Sequence, residues 1–404
     1  MYGLRKLYRI GYGPSSSHTI GIGIAADIFR KLFPEATSFQ ATLYQSLALT
    51  GIGHGTDDVV KKSLTSNTAP SIVFDKITPV PHPNTIDFVA LKHGEQIGKA
   101  RFFSIGGGDI EPDWDNSSPQ ILAYFKAKDR AVGSNYKLLT FDKIKAYCTK
   151  NKIRLYDYVY RYDAPDIKEY LSGIWVQMKE TIKTGLAATG TLPGGLKLQR
   201  QAKIVFSASP QTEDTIVGAY AYATAEENAG NGLMVTAPTC GACGVLPSVL
   251  LYLQQQHGFS DDQIVNALAT AGLIGNVIKT NASVSGAECG CQAEIGSACC
   301  MTAGAVAQLF DQPIPVIEAA AAIAMEHNLG LTCDPIRGLV QVPCIERNPV
   351  AAIKALNAYR LAKAIKLPRP VSLDQVIDTM YRTGLAMHAD YKETSIGGLA
   401  ALKI

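Results

Sequence analysis

Nine cysteines stand in this 404-residue chain, and eight of them (Cys240, Cys243, Cys289, Cys291, Cys299, Cys300, Cys333 and Cys344) fall between positions 240 and 344. Thiolates ligate metals, so such crowding suits a metal ion or an iron–sulfur cluster; small buried thiols filling helix contacts are the chemically silent reading. The C-x2-C of "CGAC" (Cys240, Cys243) has the spacing of half a zinc site. No second pair of that spacing follows, only the C-x-C of Cys289 and Cys291 and the vicinal Cys299 and Cys300. Cluster ligands can be dispersed, and Cys333 and Cys344 lie in the Gly/Pro-containing "LTCDPIRGLVQVPCIERN", where a thiolate can face a cofactor. Spacing alone leaves the ligand set open.

Far upstream, "GYGPSSSHTIGIG" (residues 11–23) boxes Ser15, Ser16, Ser17, His18 and Thr19 between glycines. A P-loop would need a lysine reaching the phosphates, and this loop has none. A nucleophile elbow would hold one serine between two glycines, not a serine run after a proline. What survives is a set of hydroxyls and amides at a helix start, which either cap the helix or hold an anion such as a carboxylate. His54 in "TGIGHGTDD" is a second histidine among glycines, and two such settings hint at acid–base work.

Two kinds of structure must position these residues. Residues 1–135 read as an α/β domain: "TIGIGIAADIFRKLF" has helical spacing, "SIVFDKI" and "TIDFVALK" read as strands around the Pro-rich "TPVPHPN", and "KARFFSIGGGDIE" as a strand entering a glycine turn. Residues 136–165 read as a linker that includes the helical "FDKIKAYCTKNK". From 166 to 404 come long Ala/Gly-rich patterns such as "SDDQIVNALATAGLIGNVIKT", "SACCMTAGAVAQLF" and "IPVIEAAAAIAMEHNLG". Several are apolar or small nearly all round, which predicts buried helices. The expected fold is multidomain α+β, an N-terminal α/β domain followed by a mostly α-helical catalytic domain.

Composition narrows the function. Hydrophobic residues make up 47% and charged residues 18%, so the chain is globular. A net charge of +3 without a basic run gives no footprint for nucleic acid. The start "MYGLRKLYRIGYG" lacks the apolar run of a signal peptide, and no apolar tract predicts a membrane span. A soluble, cytoplasmic protein without disulfides is the expectation.

Nine motifs, "GPSSSHT", "GHGTD", "SIGGG", "LPGGL", "TAPTCGACGVLP", "NASVSGAECGCQAEIG", "EHNLGLTCDP", "VQVPCIERN" and "YKETSIGGLA", occur in an order that resembles the iron–sulfur-dependent bacterial L-serine dehydratases, from Gly13 to Ala400. The resemblance implies a 4Fe-4S cluster held by Cys291, Cys333 and Cys344, with one iron open as a Lewis acid for the β-hydroxyl of L-serine. It implies His18 and His54 as acid–base or substrate-orienting groups. Ser15, Ser16, Ser17, Thr19, Ser104, Thr236, Thr239, Asn281, Ser283 and Ser285 are its implied substrate-binding residues, for a small amino acid giving pyruvate and ammonia in a homodimer. Departures from the family pattern are Cys240 where asparagine is common, Arg337 where a small residue is usual, and Ile396 where arginine is usual. The "GGLAALKI" ending also shows no cysteine, which many members carry in the tail. The rival readings are elimination from cysteine, a cysteine conjugate, threonine or a modified serine, a non-catalytic amino-acid sensor, and, more distantly, a zinc hydrolase.

Overall fold

The computed structural model describes residues 1–65, 68–131, 134–365 and 369–403. A short strand, Ile10–Tyr12 (β1), leads into helix Gly21–Leu32 (α1), strand Ser38–Tyr44 (β2), and helices Gln45–Thr50 (α2) and Thr56–Ser63 (α3). Strands Ser71–Asp75 (β3), Thr85–Lys92 (β4), Glu95–Gly106 (β5) and Asp109–Pro112 (β6) follow, then helix Pro119–Ala131 (α4). The sheet order is β3–β2–β4–β5–β6, with β2 and β3 parallel and the other neighbours antiparallel. Alternation does the sorting: Phe39, Ala41, Leu43, Ile86, Phe88, Ala100 and Phe102 share one face and bury Ile22, Ala25, Ala26 and Phe29 of α1. The same face carries buried polar residues at its end, Asn84 before Ile86 and Ser104 after Phe102.

The helical body comprises Phe141–Asn151 (α5), Leu155–Tyr162 (α6), Ile167–Ala187 (α7), Ala202–Phe206 (α8), Glu213–Ala229 (α9), Val245–His257 (α10), Asp261–Asn281 (α11), Gly286–Cys289 (α12), Ser297–Leu309 (α13), Ile314–Glu326 (α14), Cys344–Ala364 (α15) and Leu373–Ala386 (α16), with strand Leu233–Val235 (β7) before α10. All of α13 is buried, as its small, apolar sequence predicts. Gly304 lets α11 come close, because a Cβ there would stand 2.2 Å from the Ile274 side chain. Among the described residues no helix is long and apolar enough to cross a membrane.

The segment 136–165, expected as a linker, packs on the helical body: Phe141, Ile144, Cys148, Leu155, Tyr158 and Val159 belong to the helical core. Their i, i+3, i+4 spacing gives α5 and α6 an apolar stripe that needs a partner. The first residues of the chain belong there too. Leu4, Leu7 and Tyr8 pack into the helical core, and β1 pairs antiparallel with β7. The chain therefore starts in the helical body and crosses into the α/β domain just before the serine run.

A buried ion pair fastens the two domains. Asp109 of β6 receives Lys279 of α11 and Arg9, and Lys279 Nζ also donates to the Lys6 carbonyl at 3.0 Å. Burial works against the Asp109 carboxylate, but the two cations outweigh it and hold its pKa below the usual value. Asp109→Ala strands a buried lysine, so it is expected to destabilise the fold by about 3–5 kcal/mol. Urea unfolding checks this, and a loss below about 1 kcal/mol, the scale of an exposed pair, would refute it.

Candidate active site

The serine run is a widened helical turn, Ser16–Ile20, that delivers His18 into the interior. Ser15 caps it, its Oγ accepting the His18 amide at 3.1 Å. His18 is fully buried, with Ser17 Oγ 2.9 Å from Nδ1 and Thr50 Oγ1 2.9 Å from Nε2. Burial holds the ring neutral, its pKa lowered to about 4 against the opposing pull of Glu393. His54 stacks on it, with ring centroids 4.3 Å apart. His54 Nδ1–H donates to the Thr50 carbonyl at 3.0 Å, which leaves Nε2 as the basic nitrogen. Thr19 Oγ1 donates to the His54 carbonyl at 2.9 Å and ties the two loops together.

Glu393 was not among the residues singled out from sequence, yet it sits at the centre of the site. Its Oε1 lies 3.7 Å from His18 Nδ1 and 3.5 Å from His54 Nε2. Its amide donates to the Cys333 carbonyl at 2.7 Å, and its carbonyl accepts Ser46 Oγ at 2.8 Å. The residue adopts φ 59°, a left-handed conformation unusual for glutamate. Burial raises its carboxyl, but His18 and His54 outweigh burial and hold it below the ordinary value. The sequence shows it only as the carboxylate of "YKETSIGGLA"; its histidine partners lie near the other end of the chain.

Facing this group is a narrow cleft walled by Ser15, His54, Cys291, Glu294, Cys333, Cys344 and Glu393. Ligand atoms of Cys291, Glu294 and Cys333 lie within 4.8 Å of one another. Glu294 Oε2 is 3.7 Å from Cys291 Sγ and 3.8 Å from Cys333 Sγ. The Cys333 thiol hydrogen-bonds to Cys291 and, helped by Arg347, outweighs burial and lowers Cys291 to about 7. Arg347 is held by the Thr332 carbonyl at 2.6 Å and by Asp334 at 3.1 Å. Asn348 accepts the Gly244 amide at 2.9 Å and donates to the carbonyls of Gly241 and Cys344, locking the Cys344 helix onto the "TAPTCGACG" loop. The remaining cysteines are buried, and burial pushes their thiols up: Cys243, Cys289 and Cys299 to about 12, Cys148 to about 11, and Cys240 and Cys300 well above the ordinary thiol value. Three thiols on one cleft beside an arginine have the chemistry of an iron–sulfur ligand set.

The serine dehydratase alpha chain family matches residues 62–400, and the serine dehydratase beta chain family matches residues 4–80. The chain is 36% identical over 458 residues to L-serine dehydratase 1 of Escherichia coli strain K12, covering 99% of each chain. It is 36% identical over 443 residues to an L-serine dehydratase of Streptomyces coelicolor, covering 98% of this chain and 97% of the relative. The chain belongs to the serine dehydratase family. Its alpha and beta regions are joined in a single polypeptide, as in those relatives.

Within this serine dehydratase fold the other residues singled out from sequence divide. Ser15 walls the cleft, and Ser16 and Ser17 are buried in the turn beneath it. Ser104 Oγ donates to the Ser17 carbonyl at 2.8 Å, so it supports the turn. Thr239 is buried and its hydroxyl faces Glu294. Ser283 Oγ accepts the Ser285 amide at 3.0 Å, while the buried Ser285 hydroxyl has no partner among the described residues. Thr236 does not reach the cleft wall: its hydroxyl donates to the Leu7 carbonyl and accepts the Arg9 amide, fastening the N-terminal segment. Asn281 also lies elsewhere, exposed at the end of α11 with its amide donating to the Leu139 and Val277 carbonyls. Of the departures, Cys240 is buried beside Met234, Cys243 and Ile20, Arg337 occupies a left-handed turn at φ 56°, and Ile396 is half exposed.

Proposed function

We propose that this chain is a 4Fe-4S-dependent L-serine ammonia-lyase that converts L-serine to pyruvate and ammonia. The observation that carries the reading is the cleft itself, where Cys291, Cys333, Cys344 and Glu393 of the helical region face His54 of the α/β domain. Cys291, Cys333 and Cys344 would hold the cluster, which when bound supplies Lewis acidity toward the β-hydroxyl, a poor leaving group. His54 Nε2 takes the α-proton, since its Nδ1–H is committed to Thr50 and its ring walls the cleft. His18 is fully enclosed and held on both nitrogens, so it supports the His54 ring. The proton gained at Nε2 meets the Glu393 carboxylate 3.5 Å away. Hydroxide departs from Cβ as the electron pair of the broken Cα–H bond forms the double bond. The aminoacrylate released tautomerises to an imine, and water completes its hydrolysis.

Anaerobic assay of pyruvate, ammonia and sulfide with L-serine and L-cysteine tests the reading. The expected result is pyruvate with ammonia from L-serine at the higher kcat/KM. A higher kcat/KM for L-cysteine, with sulfide released, would assign the site to thiol elimination instead.

A further inference from the structure

One carboxylate on the cleft wall is not used by the mechanism above. Glu294 is half-buried there, three residues after Cys291 on the widened turn Gln292–Gly296, a form of helix often found at functional sites. The turn brings its Oε2 back to 3.7 Å from Cys291 Sγ and across to 3.8 Å from Cys333 Sγ. Gly286 makes the room. A Cβ there would stand 2.7 Å from Glu294 Oε2 and 2.9 Å from Cys333 Sγ, so only glycine lets carboxylate and thiol meet side by side.

The partners of this carboxylate change when the site is loaded. The side-chain donors that face it are the Cys291 and Cys333 thiols and the Thr239 hydroxyl, and the charges that bear on it, from Cys291 and Glu393, are negative. Arg347 directs its hydrogen bonds elsewhere, to Thr332, Asp334 and Cys291. Cysteines that ligate iron are thiolates and have no proton to donate. A cluster held by Cys291 and Cys333 therefore removes two of the three donors, and it fills the cleft onto which Glu294 opens. An enclosed anion beside thiolates is costly unless a cation pairs with it or a metal takes it as ligand. Glu393, the other carboxylate on the wall, is already engaged by His18 and His54.

We infer that the Glu294 carboxylate is the resting ligand of the iron that the three cysteines leave open, an inference that rests on the cluster reading. Oxygen is a harder donor than sulfur and binds a soft iron–sulfur centre less firmly than a thiolate does. Such a ligand holds the iron while no substrate is present and yields to the β-hydroxyl of an arriving one. The exchange moves no electrons: one oxygen donor leaves the iron as another takes its place.

Mild ferricyanide oxidation of the anaerobically reconstituted holoenzyme, without substrate, tests this. A 4Fe-4S cluster that sheds its open iron leaves a 3Fe form, which electron paramagnetic resonance detects. Glu294→Gln is expected to form that signal about tenfold faster than the wild type or more, the scale on which metal sites respond to losing a contributing group. A Glu294→Gln chain that holds three irons after reconstitution, against four in the wild type, is the same loss run to completion. Glu294→Ala is expected to shed the iron as fast, and added acetate, which can refill the space, to slow the loss in Glu294→Ala but not in the wild type. A side chain that merely packs the turn would not be replaced by a free carboxylate. Equal rates in the wild type and Glu294→Gln, or no effect of acetate on Glu294→Ala, would overturn the inference. Should Glu294→Ala not fold, the near-isosteric Glu294→Gln decides alone. An iron-free wild type would instead remove the cluster reading itself, so the two failures are told apart.

Discussion

Cys333→Ser is expected to abolish pyruvate formation and to lower the iron and sulfide bound per chain, while Cys148→Ala leaves both near the wild-type level. The contrast follows from where the thiols stand. Cys333 faces Cys291 and Glu294 on the cleft wall. Cys148 is enclosed in the helical core among residues of α5 and α6, with its thiol pushed up to about 11 by burial. A serine hydroxyl is a far weaker ligand than a thiolate for a soft iron–sulfur centre. Lewis-acid activation supplies several kcal/mol toward the leaving oxygen, so turnover is expected to fall by about a thousandfold or more. Anaerobic iron and sulfide analysis, run beside the assay, separates loss of the group from a subtler defect. Full iron content in Cys333→Ser would remove Cys333 from the ligand set, and an iron-free wild type would remove the cluster altogether.

The two-domain architecture is legible from pattern because the relevant periodicities are local. "TIDFVALK" alternates and becomes β4, and "SACCMTAGAVAQLF" is small all round and becomes the buried α13. The boundaries are less legible, since Leu4, Leu7 and Tyr8 announce an apolar stripe without saying which domain will bury it. The helical body takes them, and β1 follows by pairing with β7 more than two hundred residues later. The same limit applies to the site. Thr236 and Asn281 sit in motifs with the right residue types, but hydrogen bonds to the Leu7 and Leu139 carbonyls, far away in sequence, and to the Val277 carbonyl one turn back engage their side chains. Glu393 is one carboxylate in a polar turn, and what marks it, its approach to His18 and His54 and its left-handed backbone, exists only after folding.

Glu393→Gln is expected to lower kcat by about a hundredfold to a thousandfold with a much smaller change in KM. Glutamine keeps the shape of the side chain and both backbone bonds, the amide to Cys333 and the carbonyl to Ser46, so the loop beside the cleft stays in place. Only the charge is lost. That charge lies 3.5 Å from His54 Nε2, where the proton arrives. An unchanged kcat in Glu393→Gln, with normal iron content, would make Glu393 structural and return the choice of base to the two histidines alone.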